Sequence, residues 1–253
     1  MILTALPGLP IVKPGDDLAT MIWDALERAN LSLHTGDVLV IGQKVVSKAE
    51  GRIVDLRKVQ PSPEAIHLAQ ESGKEAREVE ILLGESRKVL RVRTGLIIVE
   101  HRLGFVCANA GLDHSNVRGR GGDPQDWVLL LPVDPDTSAQ EIRLKLERKT
   151  GVSIGVLIID SHGRAWRMGT VGVAIGVAGF PALLDLRGRP DLYGEPLRVT
   201  QVGLADELAA AASILMGQAD EGRPVVHVRG IPYPLREGSL NEILRPEEED
   251  LFR

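Results

Sequence analysis

Polar residues that could bind a cation or an anion occur in two segments of the chain, and each segment follows an apolar stretch typical of a strand. The first segment, 109–116, contains Asp113, His114 and Ser115 between two asparagines, and the second is 160–164. A carboxylate supplies the oxygen ligand that Mg²⁺ or Mn²⁺ prefers, and an arginine can bind anionic oxygens through two parallel hydrogen bonds. The residue types therefore indicate a cation bridged to phosphate groups.

Both segments also have a purely structural interpretation. Asp, Asn, Ser and Gly are the residues that turns use, so 109–116 is also typical of an Asx-rich turn. Asp160 could cap a turn while Arg164 and Arg167 remain solvated. From composition alone, the turn is favoured for the first segment, and the two interpretations of the second are evenly matched.

Other chemically interesting residues are equally open to two interpretations. Lys48 follows a predicted strand and is a candidate phosphate contact, and residues 216–222 could hold a nucleotide at a helix end. The ordinary alternatives are a solvated strand end and a helix that stops at glycine. Cys107 lies in an apolar strand pattern and is expected to be a buried structural thiol. The six histidines have no zinc-ligand spacing, so we expect no structural zinc site.

The composition is that of a globular protein with an aliphatic core. The chain has 253 residues, 43% of them hydrophobic, which is enough for one large domain or two small ones. Three Phe, three Trp and two Tyr leave few rings for stacking on bases, and a net charge of −5 argues against a broad nucleic-acid-binding face. The sequence contains no recognisable leader peptide or membrane-spanning stretch, and we expect a cytoplasmic protein.

Apolar periodicity, turn residues and helix caps predict a mixture of helices and strands. Helices are expected over residues 16–29, 62–73, 74–83 and 205–216, from a capping box at Ser138 to Gly151, and after a second capping box at Ser239. Strands are expected over 38–46, 96–101, 105–108, 128–131, 153–159, 171–179 and 224–229. The glycines of 171–179 predict the close approach of another backbone. Because no regular βαβ repeat is present, the sequence predicts an α+β or irregular α/β fold.

Several short motifs occur in the order found in one known family. They include Ala-Asn-Ala-Gly-Leu-Asp-His at 108–114 and Asp-Ser-His-Gly-Arg at 160–164. The full set covers residues 8–17, 36–40, 46–52, 108–117, 160–167, 173–179, 191–194, 205–209, 216–217, 228–230 and 247–250. On these motifs the sequence resembles the coenzyme F420 gamma-glutamyl ligases, which extend the lactyl-phosphate side chain of a deazaflavin with glutamate.

The resemblance implies a ligase that joins L-glutamate to coenzyme F420-0 through an acyl phosphate, converting GTP to GDP and phosphate. It implies Mg²⁺ or Mn²⁺ as the cofactor, with a monovalent cation such as K⁺ as a further option. It also implies one catalytic unit over residues 1–253, as a single body or two interleaved lobes, with largely antiparallel sheets, flanking helices and an intertwined homodimer. We expect no C-terminal nitroreductase-like domain, no nucleic acid partner and no membrane partner.

The resemblance also assigns roles to individual residues. Asp113 and Asp160 are the implied catalytic residues and metal ligands, and Ser161 and Gln218 are further implied metal contacts. The family pattern has Thr at the first of these two positions and often an acidic residue at the second, so one metal contact is neutral here. The implied nucleotide-binding residues are Leu9, Pro10, Ile11, Val12, Gln43, Lys44, Lys48, Asn116, Met216, Gly217, Gln218, Ala219, Asp220, Glu221, Gly222 and Arg223.

Two other functions remain open on the sequence alone. One is a ligase of the same fold that acts on a different acid, because the fold does not fix the substrate. The other is a non-catalytic module that binds a nucleotide or a flavin. Nucleotide turnover separates an enzyme from a binding module, and the mass of the product separates the two ligases.

Overall fold

The computed structural model describes residues 1–119 and 121–251 and has a five-stranded sheet at its centre. In spatial order the strands are β1 (Ile2–Ala5), β12 (Val225–Arg229), β2 (Val38–Gly42), β8 (Gly155–Gly163) and β9 (Thr170–Ala178). Of these described strands, β2 and β8 pair in parallel, and the other neighbours pair antiparallel. The predicted α+β class with largely antiparallel sheets is confirmed.

Three smaller sheets and six α-helices surround this sheet in the described part of the chain. The small sheets pair β3 (Ile53–Asp55) with β7 (Trp127–Leu129), β4 (Ser86–Arg93) and β6 (Val106–Ala108) with β5 (Leu96–His101), and β10 (Leu184–Asp185) with β11 (Gln201–Val202). The helices are α1 (Leu18–Arg28), α2 (Gln43–Ala49), α3 (Pro63–Ser72), α4 (Ala76–Gly84), α5 (Pro135–Thr150) and α6 (Leu204–Met216). Among the described residues, no helix is both long and apolar enough to cross a membrane.

The central strands are buried on both faces because helices cover the sheet from both sides. Leu39 and Ile41 of β2 belong to the core that also contains residues of α1 and α5. Val38 and Val40, the alternate residues, belong to the core that contains α6. Successive side chains of a strand point to opposite faces, so an apolar run is what two-sided burial requires.

The edge strand β9 fits tightly against two helices of the same chain. A Cβ at Gly172 would lie 2.6 Å from the carbonyl oxygen of Ala209 in α6, and one at Gly176 would lie 2.5 Å from Pro135 in α5. The close backbone approach predicted for residues 171–179 is therefore confirmed, and it is made within the chain. The predicted homodimer stays a prediction.

Polar side chains from those helices cap the exposed side of β9. Asp206 accepts a hydrogen bond from the N–H of Ala174 at 2.9 Å, and Asp136 accepts one from Val177 at 2.7 Å. An edge strand otherwise presents unpaired N–H groups to other chains. These two carboxylates satisfy donors of β9 and close part of that edge.

Three sequence predictions about where helices begin are wrong. Residues 43–46 were expected to continue a strand, but they form the first part of α2, so Lys48 lies in a helix. Helix α5 begins at Pro135 rather than Ser138, because Asp134 accepts a hydrogen bond from the N–H of Thr137 and proline fills the first helical position. The capping box at Ser239 opens only a three-residue 3-10 turn, and Glu242 instead accepts hydrogen bonds from the N–H groups of Ala182 and Leu183.

The amino end of β2 is fixed by a buried charge network. Asp37 accepts hydrogen bonds from Arg229 at 2.7 and 2.9 Å, contacts His227 Nε2 at 2.8 Å, and accepts one from the N–H of His34. Burial opposes ionisation of Asp37, but the hydrogen bonds from Arg229 and His227 outweigh it and lower the pKa of this carboxyl to about 2. The network joins β12 to β2 at the end of the sheet opposite the carboxyl end of β2.

We predict that Asp37→Asn lowers the free energy of unfolding at pH 7 by about 3 kcal/mol, since Arg229 loses a buried anionic partner. The folded-state pKa of Asp37 is depressed, so its contribution is present above the unfolded value of 3.8 and is lost as the pH falls toward about 2. Urea unfolding at pH 7 and pH 3 measures the difference between wild type and variant. The exposed Asp185, which pairs with Arg187, is the control site, and Asp185→Asn should change little. An equal decrease in the free energy of unfolding for Asp37→Asn and Asp185→Asn would contradict the role of burial.

Candidate functional site

A cavity of about 410 Å³ lies at the carboxyl end of the parallel pair β2 and β8. Gly42 ends β2 on one side, and Asp160 and Ser161 continue β8 on the other. Segment 216–224, which begins with the last residue of α6, forms a further wall. Ligands of α/β sheets commonly bind outside the carboxyl ends of parallel strands, and this cavity has that position.

Most residues with an implied role line this one cavity. They are Gln43, Lys44, Lys48, Asn116, Asp160, Ser161, Met216, Gly217, Gln218, Ala219, Asp220, Glu221, Gly222 and Arg223. Sequence reasoning missed Gly42, Val45, Ile159, Ser213 and Pro224, which also line it. Ser213 lies one helical turn before Gly217, a spacing from which its place could have been predicted.

Two lysines of α2 bind the loop that contains Asp113. Lys44 Nζ lies 2.7 Å from Asp113 Oδ2 and donates hydrogen bonds to the carbonyl and hydroxyl oxygens of Ser115. Lys48 Nζ donates a hydrogen bond of 2.7 Å to the carbonyl oxygen of Asn116. Burial and the charge of Lys44 lower the pKa of Lys48, and Asp113 opposes this change. The two ammonium groups share one carboxylate, which leaves positive charge for an anionic ligand.

Asp113 itself is a neighbour of the cavity rather than part of its lining. Its Oδ1 accepts hydrogen bonds from the N–H and the hydroxyl of Ser115 at 2.7 and 2.8 Å, and its backbone bridges to Leu129. The Asx turn expected as the structural alternative is therefore present. It coexists with the ion pair to Lys44, which links the carboxylate to the cavity wall.

The chain reaches Asp113 through a left-handed turn. Asn109, Ala110 and Gly111 have φ angles of 49°, 53° and 66°. Consecutive residues rarely adopt this conformation, and here Asn109 Oδ1 accepts a hydrogen bond from a backbone N–H of β5 while Ala110 is fully buried. A Cβ at Gly111 would lie 2.7 Å from Leu131 Cδ1, so the turn also needs glycine for space. Backbone strain of this kind concentrates at functional sites.

The candidate metal ligands on β8 are divided between its two faces. Strand β8 continues to Gly163, so Asp160 lies within a strand and not at its end as predicted. Ser161 Oγ donates a hydrogen bond of 3.0 Å to Gln218 Oε1 beyond α6. On the opposite face, Asp160 Oδ2 lies 3.0 Å from His162 Nε2.

Contacts within segment 216–224 stabilise the conformation of this wall. Gly217 has a φ of 76°, and a Cβ there would meet the carboxyl of Glu221. Glu221 accepts a hydrogen bond from the N–H of Ala219 at 2.9 Å. The Asn116 amide donates to the carbonyl oxygen of Ala219, so this wall contacts the loop that follows Asp113.

Four implied nucleotide contacts lie outside the cavity lining. Leu9, Pro10, Ile11 and Val12 precede α1; Val12 is buried in the core, and Ile11 is 84% exposed. Their role stays a prediction.

Arg164 lies on the turn between β8 and β9, where it donates a hydrogen bond to the carbonyl oxygen of Gly169.

Two residues near the site have structural roles. His114 Nδ1 lies 3.0 Å from the carbonyl oxygen of Trp127 and Nε2 lies 3.7 Å from Glu78, so this histidine anchors its loop to α4. Cys107 is buried as predicted. Burial, together with the charge of Asp160, raises the pKa of the Cys107 thiol to about 12, so it is not a thiolate nucleophile at neutral pH.

The oxygen donors around the cavity fit a hard divalent cation that is coordinated partly by the protein and partly by phosphates and water. The implied set consists of carboxylate, hydroxyl and amide oxygens, which suit Mg²⁺ or Mn²⁺. Among the described residues, no group of three or more His, Cys, Asp or Glu side chains could hold a metal by itself. Mg²⁺ sites often use one or two carboxylates and leave the remaining positions to phosphates and water.

We predict that Lys44→Met loosens the loop that carries Asp113. The variant loses the ion pair to Asp113 and the hydrogen bonds to Ser115, so amide hydrogen exchange over residues 113–117 should become about fivefold faster. Lys58→Met is the control, because Lys58 is 82% exposed. An unchanged rate of amide exchange in Lys44→Met would show that the loop is ordered without the contacts of Lys44.

Comparisons with known proteins agree with the predicted motifs. A sequence model of the F420-0:Gamma-glutamyl ligase family matches residues 8–230. A protein named coenzyme F420:L-glutamate ligase from Methanothermobacter thermautotrophicus is 48% identical over 253 residues, covering 99% of this chain and 98% of the relative. Proteins of the same name from Methanopyrus kandleri and Methanosarcina mazei are 48% and 35% identical. They cover 96% and 98% of this chain and 93% and 94% of their own lengths. The chain thus belongs to the F420-0:gamma-glutamyl ligase family.

Proposed function

We propose that the protein joins L-glutamate to the lactyl-phosphate side chain of coenzyme F420-0, using GTP and a divalent cation. The supporting observation is one cavity, at the carboxyl end of β2 and β8, that combines two lysines with the candidate cation ligands Asp160, Ser161 and Gln218. The relatives that match nearly the whole chain are named as ligases of glutamate and coenzyme F420.

In this proposal the lysines of α2 bind the phosphates of GTP. Lys44 and Lys48 lie four residues apart, and both line the cavity. Lys44 already contacts Asp113 and both the carbonyl and hydroxyl oxygens of Ser115, whereas Lys48 donates to one loop carbonyl group and keeps ammonium donors for phosphate oxygens. Lysine binds phosphate as a point charge, so the two residues would neutralise the nucleotide without fixing one orientation.

Asp160 would hold the divalent cation, and Ser161 with Gln218 would form a second contact on the other face of β8. When bound, the cation neutralises charge on the phosphates and polarises the phosphorus–oxygen bond that breaks.

The proposed reaction has two steps. A carboxylate oxygen of F420-0 attacks the γ-phosphorus of GTP, a new oxygen–phosphorus bond forms, and GDP leaves with the electron pair of the broken bond. The amine of glutamate then attacks the acyl carbon, phosphate leaves, and the amine proton passes to solvent or phosphate. Phosphorylation is needed because a carboxylate at pH 7 is a poor electrophile toward an amine.

Two alternatives share this cavity. A ligase of the same fold could act on a different acid, and a non-catalytic module could bind the nucleotide or a flavin without turnover. The cavity chemistry supports a nucleotide and a cation in all three cases. The names of the relatives favour F420-0 as the acid.

We predict that the full chain with GTP, Mn²⁺, L-glutamate and F420-0 gives a product heavier by one or more glutamyl units, with GDP formed in step. Mass spectrometry of the deazaflavin and chromatography of the nucleotide measure both. Omitting glutamate and omitting GTP are the controls, and each should abolish the heavier product. GDP formation with an unchanged deazaflavin would favour a different acid. Absence of any turnover would favour the binding module.

A further inference from the structure

His162 and Asp160 share one face of β8. Residues two apart on a strand point to the same side, and their partners on β9 are Val171 and Val173. His162 Nε2 lies 3.0 Å from Asp160 Oδ2, and the two side chains are 13% and 16% exposed. A buried nitrogen donor therefore lies directly beside the candidate metal ligand.

This close contact is not a hydrogen bond. Within the described part of the chain, His162 Nε2 is buried and has no hydrogen-bond partner, although Asp160 Oδ2 is near enough. The nitrogen and the oxygen are close, but the ring N–H direction does not point at the carboxylate. Buried polar atoms in native proteins are nearly always partnered, so the pair calls for a third group.

A shared cation explains both the distance and the direction. Two adjacent ligands of an octahedral ion, each about 2.1 Å from it and at right angles, lie about 3.0 Å apart. Their donor directions then converge on the ion and not on each other. The separation of 3.0 Å between Nε2 and Oδ2 agrees with this arrangement.

We propose that His162 Nε2 is a direct ligand, together with Asp160 Oδ2, of the divalent cation that the proposed function requires. This inference rests on that function for the presence of the cation. It adds a nitrogen ligand to a set that otherwise consists of oxygen donors.

The histidine ring is held in place by aromatic packing. Phe105 lies against His162 with ring centroids 5.3 Å apart, and it stacks on the buried His101 at 5.2 Å. A ligand that is oriented before the ion arrives loses little conformational freedom on binding. The packing therefore supports a fixed nitrogen donor beside Asp160.

A nitrogen ligand has a consequence for metal choice. Imidazole suits transition metals, whereas Mg²⁺ is a hard cation that prefers oxygen ligands. His162 should therefore raise the affinity for Mn²⁺ relative to Mg²⁺. Loss of the imidazole should weaken Mn²⁺ binding by at least about tenfold, with a smaller change for Mg²⁺.

The test is electron spin echo spectroscopy of Mn²⁺ bound to the full chain, labelled with ¹⁵N-histidine, with the metal ion as the only added ligand. We expect a coupling to one ¹⁵N nucleus in the wild type and its loss in His162→Gln. His67→Gln, at an exposed position of α3, should keep the coupling. Calorimetric titration with Mn²⁺ and Mg²⁺ measures the change in metal preference.

Two results would overturn the inference. Bound Mn²⁺ without nitrogen coupling in the wild type would mean that His162 only neighbours Asp160, and this spectrum does not depend on whether a variant folds. A coupling that survives in a folded His162→Gln would assign the nitrogen to another histidine. Glutamate addition is assayed separately with Mg²⁺, so an active wild type without the coupling would overturn the ligand assignment and leave the proposed function intact.

Discussion

The site depends on the parallel pairing of β2 with β8. Its register aligns Val38 with Gly155 and Gly42 with Ile159, so the chain leaves β2 for α2 beside the point where β8 reaches Asp160. Both strands are buried on both faces, so a slip of one residue would move every core side chain to the opposite face. The buried network of Asp37 fixes the other end of β2. Core packing thus sets the distance between the lysines of α2 and the carboxylate of β8.

Beyond this pairing, the extension of β8 past the core divides the polar residues into two groups. Residues 156–159 alternate between the two hydrophobic cores, and the same alternation continues into the site. Asp160 and His162 therefore belong to the face that Phe105 covers, while Ser161 belongs to the face of α6 and Gln218. Asp160 and Ser161, which are adjacent in sequence, therefore lie on opposite faces of β8.

The sequence predicted the elements whose signals are local. Helix α3 begins after Ser62, whose hydroxyl accepts a hydrogen bond from the N–H of Ala65, and it ends at Gly73 with a φ of 67°. The strand prediction failed at Val45 and Val46, because β-branched residues favour strands locally while the fold turns the chain into α2 there. Lys48, Asp160 and residues 216–222 were candidates from the residue types alone, and the resemblance to the family implied the other cavity residues that were predicted. The left-handed turn before Asp113 depends on tertiary contacts that no local pattern encodes. The proximity of His162 to Asp160 was missed because the predicted strand ended at 159, whereas β8 continues to Gly163.

The proposed function depends on a divalent cation bound by Asp160, beside the carboxyl end of β2. The most direct measurement is the melting temperature with and without Mn²⁺ for the wild type, Asp160→Asn and the exposed control Asp185→Asn. At 100 times the dissociation constant, a ligand of the folded state alone adds about 2.7 kcal/mol, or about 5–10 °C for a chain of this size. The account predicts that shift in the wild type and the control, and a much smaller one in Asp160→Asn. Equal shifts in all three proteins would contradict it and leave Asp160 as a structural residue of the hairpin.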